Sequence, residues 1–137
     1  MRLKGIAGVN SLYEIVDESG ISVFDVDAAK YQIPRAIKRQ LKSILIQICQ
    51  AIEISGALAI IDYVENDFLK KIVKNQRAVK HNMWEVKNPA HGYRLFFIMD
   101  DNGNVIVSAV DKRSVDVDAQ DKAINRGLNR WEKVKQK

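Results

Sequence analysis

The chain has 137 residues, with 22 lysines and arginines against 17 acids, a net charge of +5 and a pI near 9.4. With 47% hydrophobic and 28% charged residues it has the composition of one folded domain and not of a disordered segment. The lone cysteine, Cys49, excludes an internal disulfide framework, and no run approaches the roughly 18 apolar residues of a membrane span or the pattern of a secretion signal, so a cytoplasmic protein without a membrane partner is expected.

The N-terminal stretches Ser11–Val16 and Ile21–Asp25 are β-rich and separated by Asp17-Glu18-Ser19-Gly20, which reads as strand, turn and short strand. Pro34 suits the start of a helix over 34–54, in which Ile37, Leu41, Ile44, Leu45, Ile48 and Ile52 share one face. Gly56 ends it. Ala57, Ile61, Val64, Phe68 and Ile72 repeat the spacing and predict a second helix over 57–73. Residues 70–81 then carry five lysines and arginines and no acid, either a solvated helix end or a surface for phosphates.

From Trp84 the period changes to two. Trp84–Lys87, Tyr93–Met99 and Val105–Val110 read as strands, the last two joined through Asn102-Gly103, a strong hairpin signal. Ala123, Ile124, Leu128, Trp131 and Val134 fall on one side of a C-terminal helix over 119–134, capped by Asp116 or Asp118. Helices beside an antiparallel meander predict an α+β domain.

Conventional catalytic motifs are missing: no phosphate-binding glycine loop, no HExxH and no GxSxG elbow. Two histidines and one cysteine form no sequence-local metal site, and no cofactor is expected. Cys49 lies in an apolar helical pattern and reads as a small buried hydrophobe.

What remains is a set of cations at strand ends. In a meander the end of the first strand, the start of the second and the end of the third lie together. Lys87, His91, Arg94, Lys112 and Arg113 are therefore expected on one basic rim. Such a rim suits a polyanion. It also suits RNA cleavage by the ribose 2′-hydroxyl, which needs a base, cations on the pentacoordinate phosphate and an acid for the leaving 5′-oxygen, but no metal. Lysine crowded by cations makes a base, arginine holds phosphate oxygens and histidine titrates in the useful range. The plain alternative is that Lys87 and Lys112 serve solubility and that His91 is idle in its loop.

Residues 83–134, from Met83-Trp84-Glu85-Val86-Lys87 through Tyr93-Arg94-Leu95-Phe96 and Lys112-Arg113 to the last helix, resemble the RelE/HigB/ParE superfamily of bacterial type II toxin–antitoxin toxins. The two upstream helices fit the same order, and the N-terminal stretch 11–26 looks like the HigB-like branch. The resemblance implies a single RelE/HigB-like toxin domain over 1–137. Its fold would be an antiparallel sheet of three or four strands, with two N-terminal helices on one face and a C-terminal helix.

The function implied is an mRNA endoribonuclease, ribosome-associated and neutralised by a cognate antitoxin, as a homodimer or a toxin–antitoxin hetero-oligomer. Lys87 would be the base, Arg94 and Arg113 would hold the phosphate, and His91 or Lys112 would be the acid. Arg35, Lys38, Arg39, Lys70, Lys71 and Lys74 would contact ribosomal RNA phosphates. Two departures stand out. Glu85 takes the place of a common second basic residue, and residues 114–120 are acidic, without the late tyrosine or histidine of many relatives. The alternatives are a toxin-fold protein that binds DNA gyrase or another protein target without cleaving, and a degenerate non-toxic relative.

Overall fold

Arg2–Ile6 (β1) and Val9–Val16 (β2) open the chain as a hairpin in the computed structural model, which describes residues 1–135. Gly8, with φ 82°, takes the left-handed position in the tight turn between them. The expected second strand at Ile21–Asp25 is instead a helix start, apart from one bridge between Val16 and Ser22. Ser22 caps Val23–Lys30 (α1), its hydroxyl accepting the Phe24 N–H at 3.2 Å. Val23, Phe24, Asp27 and Ala28 are buried, a helical spacing that the local β-rich composition hides.

Arg35–Ser55 (α2) follows the predicted helix and buries Leu41, Leu45, Ile48 and Cys49. Gly56, with φ 72°, ends it as expected. The second predicted helix does not run to residue 73. A 3₁₀ turn at Gly56–Ala59 leads into the short Ile60–Glu65 (α3), and Asp67, with φ 66°, turns the chain into Leu69–Lys71 (β3). The four-residue apolar spacing spans this break, so Ile61 and Val64 are exposed while Leu69 and Ile72 are buried. The segment Arg35–Glu65 also contains a window of mean hydropathy 2.0, long and apolar enough by composition to cross a membrane, which corrects the expectation of no such run.

Gln76–Lys80 (α4) precedes the meander Met83–Lys87 (β4), Tyr93–Asp100 (β5) and Gly103–Asp111 (β6), and Ala119–Lys135 (α5) follows. The predicted hairpin is present, with Asp100 paired to Gly103. The sheet, however, has six strands in the order β1-β2-β6-β5-β4-β3 and not three or four. It is mixed, because β2 runs parallel to β6 while the other neighbours are antiparallel. The N-terminal hairpin adds one edge and β3 the other.

Helices cover both faces. One core layer joins Phe96, Ile98, Val105 and Val107 to Ala123, Ile124 and Leu128 of α5. The other joins Leu95, Phe97 and Ile106 to Phe24 of α1 and Leu41, Leu45 and Ile48 of α2. Parallel pairing of β2 with β6 spans only Leu12–Glu14 against Asn104–Ile106. Beyond it, side chains satisfy the β6 edge. Asp27 accepts the Ala109 N–H at 3.0 Å, Arg130 donates to the Val107 carbonyl at 2.9 Å, and Arg126 donates to that of Ala109 at 3.2 Å.

Candidate nucleic-acid interface

The meander brings the predicted cations to one end of the sheet. Lys87 on β4 stands opposite Arg94 on β5, and the Lys112 N–H bonds to the Gly92 carbonyl at 2.8 Å. Strand alternation puts Lys87, Arg94 and Lys112 on the α5 face, together with Lys70 of β3, which pairs with Glu85. On this face the sheet and the first turns of α5 enclose an open cleft of about 610 Å³. Lys70, Lys74, Glu85, Lys112 and Gln120 line it, and Asp121 and Asn125 add to the α5 wall.

Each side chain has a distinct environment. The Lys87 ammonium, 16% exposed, is held by Asp67 at 2.7 Å. That contact keeps the Asp67 carboxyl below its ordinary range. An ion pair is the reverse of the cation-crowded setting that base chemistry asks for. Arg94 Nη1 donates to the carbonyls of His91 at 2.8 Å and Tyr93 at 2.9 Å, and its Nε is buried without a partner among the described residues. Burial lowers the Arg94 pKa from its ordinary value, against the pull of Glu85 and Asp67.

His91 and Arg113 lie at the same strand end but lean on Tyr93. The His91 ring is 5.2 Å from the Tyr93 ring, and the Arg113 guanidinium sits 5.8 Å from it. Gly92 makes room for this, since a Cβ there would lie 2.6 Å from Arg113 Nε. His91 Nδ1 accepts the Tyr93 N–H at 3.2 Å, which assigns the ring proton of the neutral form to Nε2. Burial, then Arg94 and Arg113, lower the His91 pKa. The ring is thus neutral near pH 7, unsuited to donating a proton as imidazolium.

The candidate RNA contacts split between the two sides of the sheet. Lys70, Lys71 and Lys74 border the cleft, although the Lys71 ammonium lies 5.8 Å over the Trp84 ring on the α2 side. Arg35 and Arg39 are exposed on the first turns of α2, and Lys38 there pairs with Asp25 at 2.7 Å. The acidic loop before α5 is self-contained, with Asp116 taking Lys122 at 2.9 Å.

The chain matches no protein-family model, no curated protein and no solved structure. Its chemistry therefore rests on its own residues. Cys49 offers no nucleophile, since burial pushes its thiol up to about 12. Among the described residues no three His, Cys, Asp or Glu side chains converge as a metal site.

The residue that strand-end reasoning passes over is Glu85. It is 2% exposed, it borders the cleft, and its Oε2 has no hydrogen-bond partner among the described residues. The signal for it is alternation in β4, which sets Glu85 between Met83 and Lys87 on the α5 face.

Proposed function

We propose that the protein is a ribonuclease toxin of the RelE/HigB kind, cleaving messenger RNA in the cleft between the sheet and α5. The observation that carries the reading is the adjacency of Lys87 and Arg94 on paired strands, on the same face as Lys70 and Lys112 and beside an open cleft. The resemblance of residues 83–134 to those toxins supports it.

In this reading Lys87, released from Asp67 when RNA enters and acting as the neutral amine after giving a proton to water, takes the 2′-hydroxyl proton. The 2′-oxygen attacks the adjacent phosphorus and the bond to the 5′-oxygen breaks. A 2′,3′-cyclic phosphate and a 5′-hydroxyl result. Arg94, fixed through Nη1, turns its remaining donors to the phosphate oxygens, where charge builds in the transition state. Lys112 protonates the leaving oxygen. His91, neutral and bonded to Tyr93, orients the loop that holds Arg94. Lys70 and Lys74 take flanking phosphates.

One observation favours the non-cleaving alternative, a toxin-fold protein that binds gyrase or another protein target. Lys87 is already neutralised by Asp67. Induced expression in a bacterium, with new RNA 5′ ends mapped, separates the two. Growth arrest with new ends inside messages, both lost in Lys87→Met while the variant still folds, supports cleavage. Arrest with intact messages transfers the function to a protein target. Absence of arrest removes the toxin reading.

A further inference from the structure

The cleft combines two kinds of recognition group. At its edge stand the exposed cations Lys70, Lys74 and Lys112. At its floor lies a buried carboxylate, Glu85, with an unpartnered oxygen. A buried acceptor left unmade is costly, so a ligand that supplies donors there gains what the free protein lacks.

The neighbouring cations do not consume this acceptor. Lys70 is the cross-strand partner of Glu85, yet no ion pair joins them among the described residues. Arg94 balances the charge of Glu85 through space, but its Nη1 is bonded to carbonyls and its Nε is also unpartnered. The volume of about 610 Å³ lies within the range of small-molecule sites.

A carboxylate beside lysines selects a ligand with a phosphate at one end and adjacent donors at the other. Single-stranded RNA bases are read on their Watson–Crick edges. Guanine alone of the four common RNA bases sets two donors side by side on that edge, N1–H and the N2 amino group. Adenine and cytosine place a ring nitrogen acceptor beside their amino group, and uracil flanks one N–H with two carbonyls. Each of these turns a lone pair toward the carboxylate.

We propose that the cleft is a guanosine-phosphate site, in which Glu85 accepts from N1–H and N2 of guanine while Lys70, Lys74 and Lys112 hold the phosphate. The inference takes the cleft as the RNA site of the function proposed above and adds its base preference. A free guanine nucleotide and a guanosine within RNA present the same groups.

The test is calorimetric titration of the purified full chain at low salt with GMP, IMP, AMP and CMP, and with hexaribonucleotides that contain or lack one guanosine. Inosine monophosphate lacks only the N2 amino group. GMP is expected to bind about tenfold or more tighter than IMP, and tighter still than AMP and CMP. Glu85→Gln, which presents a donor of its own, is expected to level the four. Lys74→Ala is expected to weaken all four alike and leave the GMP to IMP ratio unchanged. Equal binding of the four by the unaltered chain, no binding of any, or a GMP preference that survives Glu85→Gln overturns the proposal. Preference in the hexamers alone assigns the site to RNA, and in the mononucleotides alone to a free nucleotide. Cleavage is read separately. Guanine preference without cleavage sinks the ribonuclease reading and spares this one; cleavage without preference does the reverse.

Discussion

Asp27 on α1 receives the guanidinium of Arg130 on α5 across 103 residues of chain, Oδ2 to Nη1 at 2.8 Å and Oδ1 to Nη2 at 2.9 Å. The carboxylate is 2% exposed and also accepts the Ala109 N–H, so it completes the β6 edge where β2 leaves it. Asp27→Ala takes from Arg130 and Arg126 the carboxylate that pairs with both and leaves a buried N–H unbonded. The expected loss is about 3–5 kcal/mol in urea unfolding at constant m-value. A loss under 1 kcal/mol would mean that water replaces the carboxylate at the edge.

The pair of Lys87 with Asp67 makes a second prediction. If the proposed ribonuclease function holds, Lys87→Met is expected to reduce RNA cleavage by roughly 10²–10⁴-fold, the range for loss of a positioned base. Asp67→Asn is expected to raise cleavage at pH 7, because Lys87 is then no longer held by an ion pair away from the RNA. Equal loss in both variants would make Asp67 part of the chemistry, and Lys87 would no longer stand alone as the base.

His91 sets a pH dependence. Its pKa is lowered in the folded chain, as is that of His81, where burial is again the leading cause. The unfolded chain therefore binds protons first on acidification. Stability from these groups is complete above the unfolded value of about 6.5 and falls as pH drops through the folded values. Melting temperature should decline between pH 7.5 and 5, and His91→Asn should flatten part of that decline. A profile unchanged by both His91→Asn and His81→Asn would contradict the burial of the two rings.

Gly127 of α5 rests directly on β6. A Cβ there would fall 2.7 Å from Val107 Cγ2 and 3.0 Å from Ser108 Oγ, whose hydroxyl donates to the Ala123 carbonyl at 2.8 Å. Gly127→Ala is expected to cost about 1–3 kcal/mol by overpacking, although alanine favours helix at exposed positions. Chemical denaturation reads this directly, and a stabilised variant would show that α5 can slide.

The legible parts of the fold were those with local signals. Asn102-Gly103 and the two-residue period mark the β5–β6 hairpin, and the reversal of antiparallel strands is enough to bring Lys87, Arg94 and Lys112 together. The hidden parts depend on distant partners. β1 is short, charged and exposed, and only its hairpin with β2 makes it a strand. β3 continues an apolar spacing begun at Ala57 in the 3₁₀ turn, and only its pairing with β4 reveals its extended form. Val23 and Phe24 look like strand residues until their burial beside Asp27 and Ala28 shows a helix face. Nothing local marks Asp27 or Glu85 as buried, because the guanidinium groups that surround the first and the cleft that borders the second are assembled by the tertiary fold.

The long reach from Asp27 to Arg130 also orders events during protein synthesis. At roughly 5–20 residues per second, α1 leaves the ribosome on the order of 5–20 s before α5 does. Until then the β6 edge has no guanidinium to cover it, and the cleft lacks the wall that Gln120 and Asp121 supply. Closure of such distant contacts is late in folding. A nascent chain that already displays Lys87 and Arg94 thus lacks the α5 wall of the neighbouring cleft until α5 has emerged.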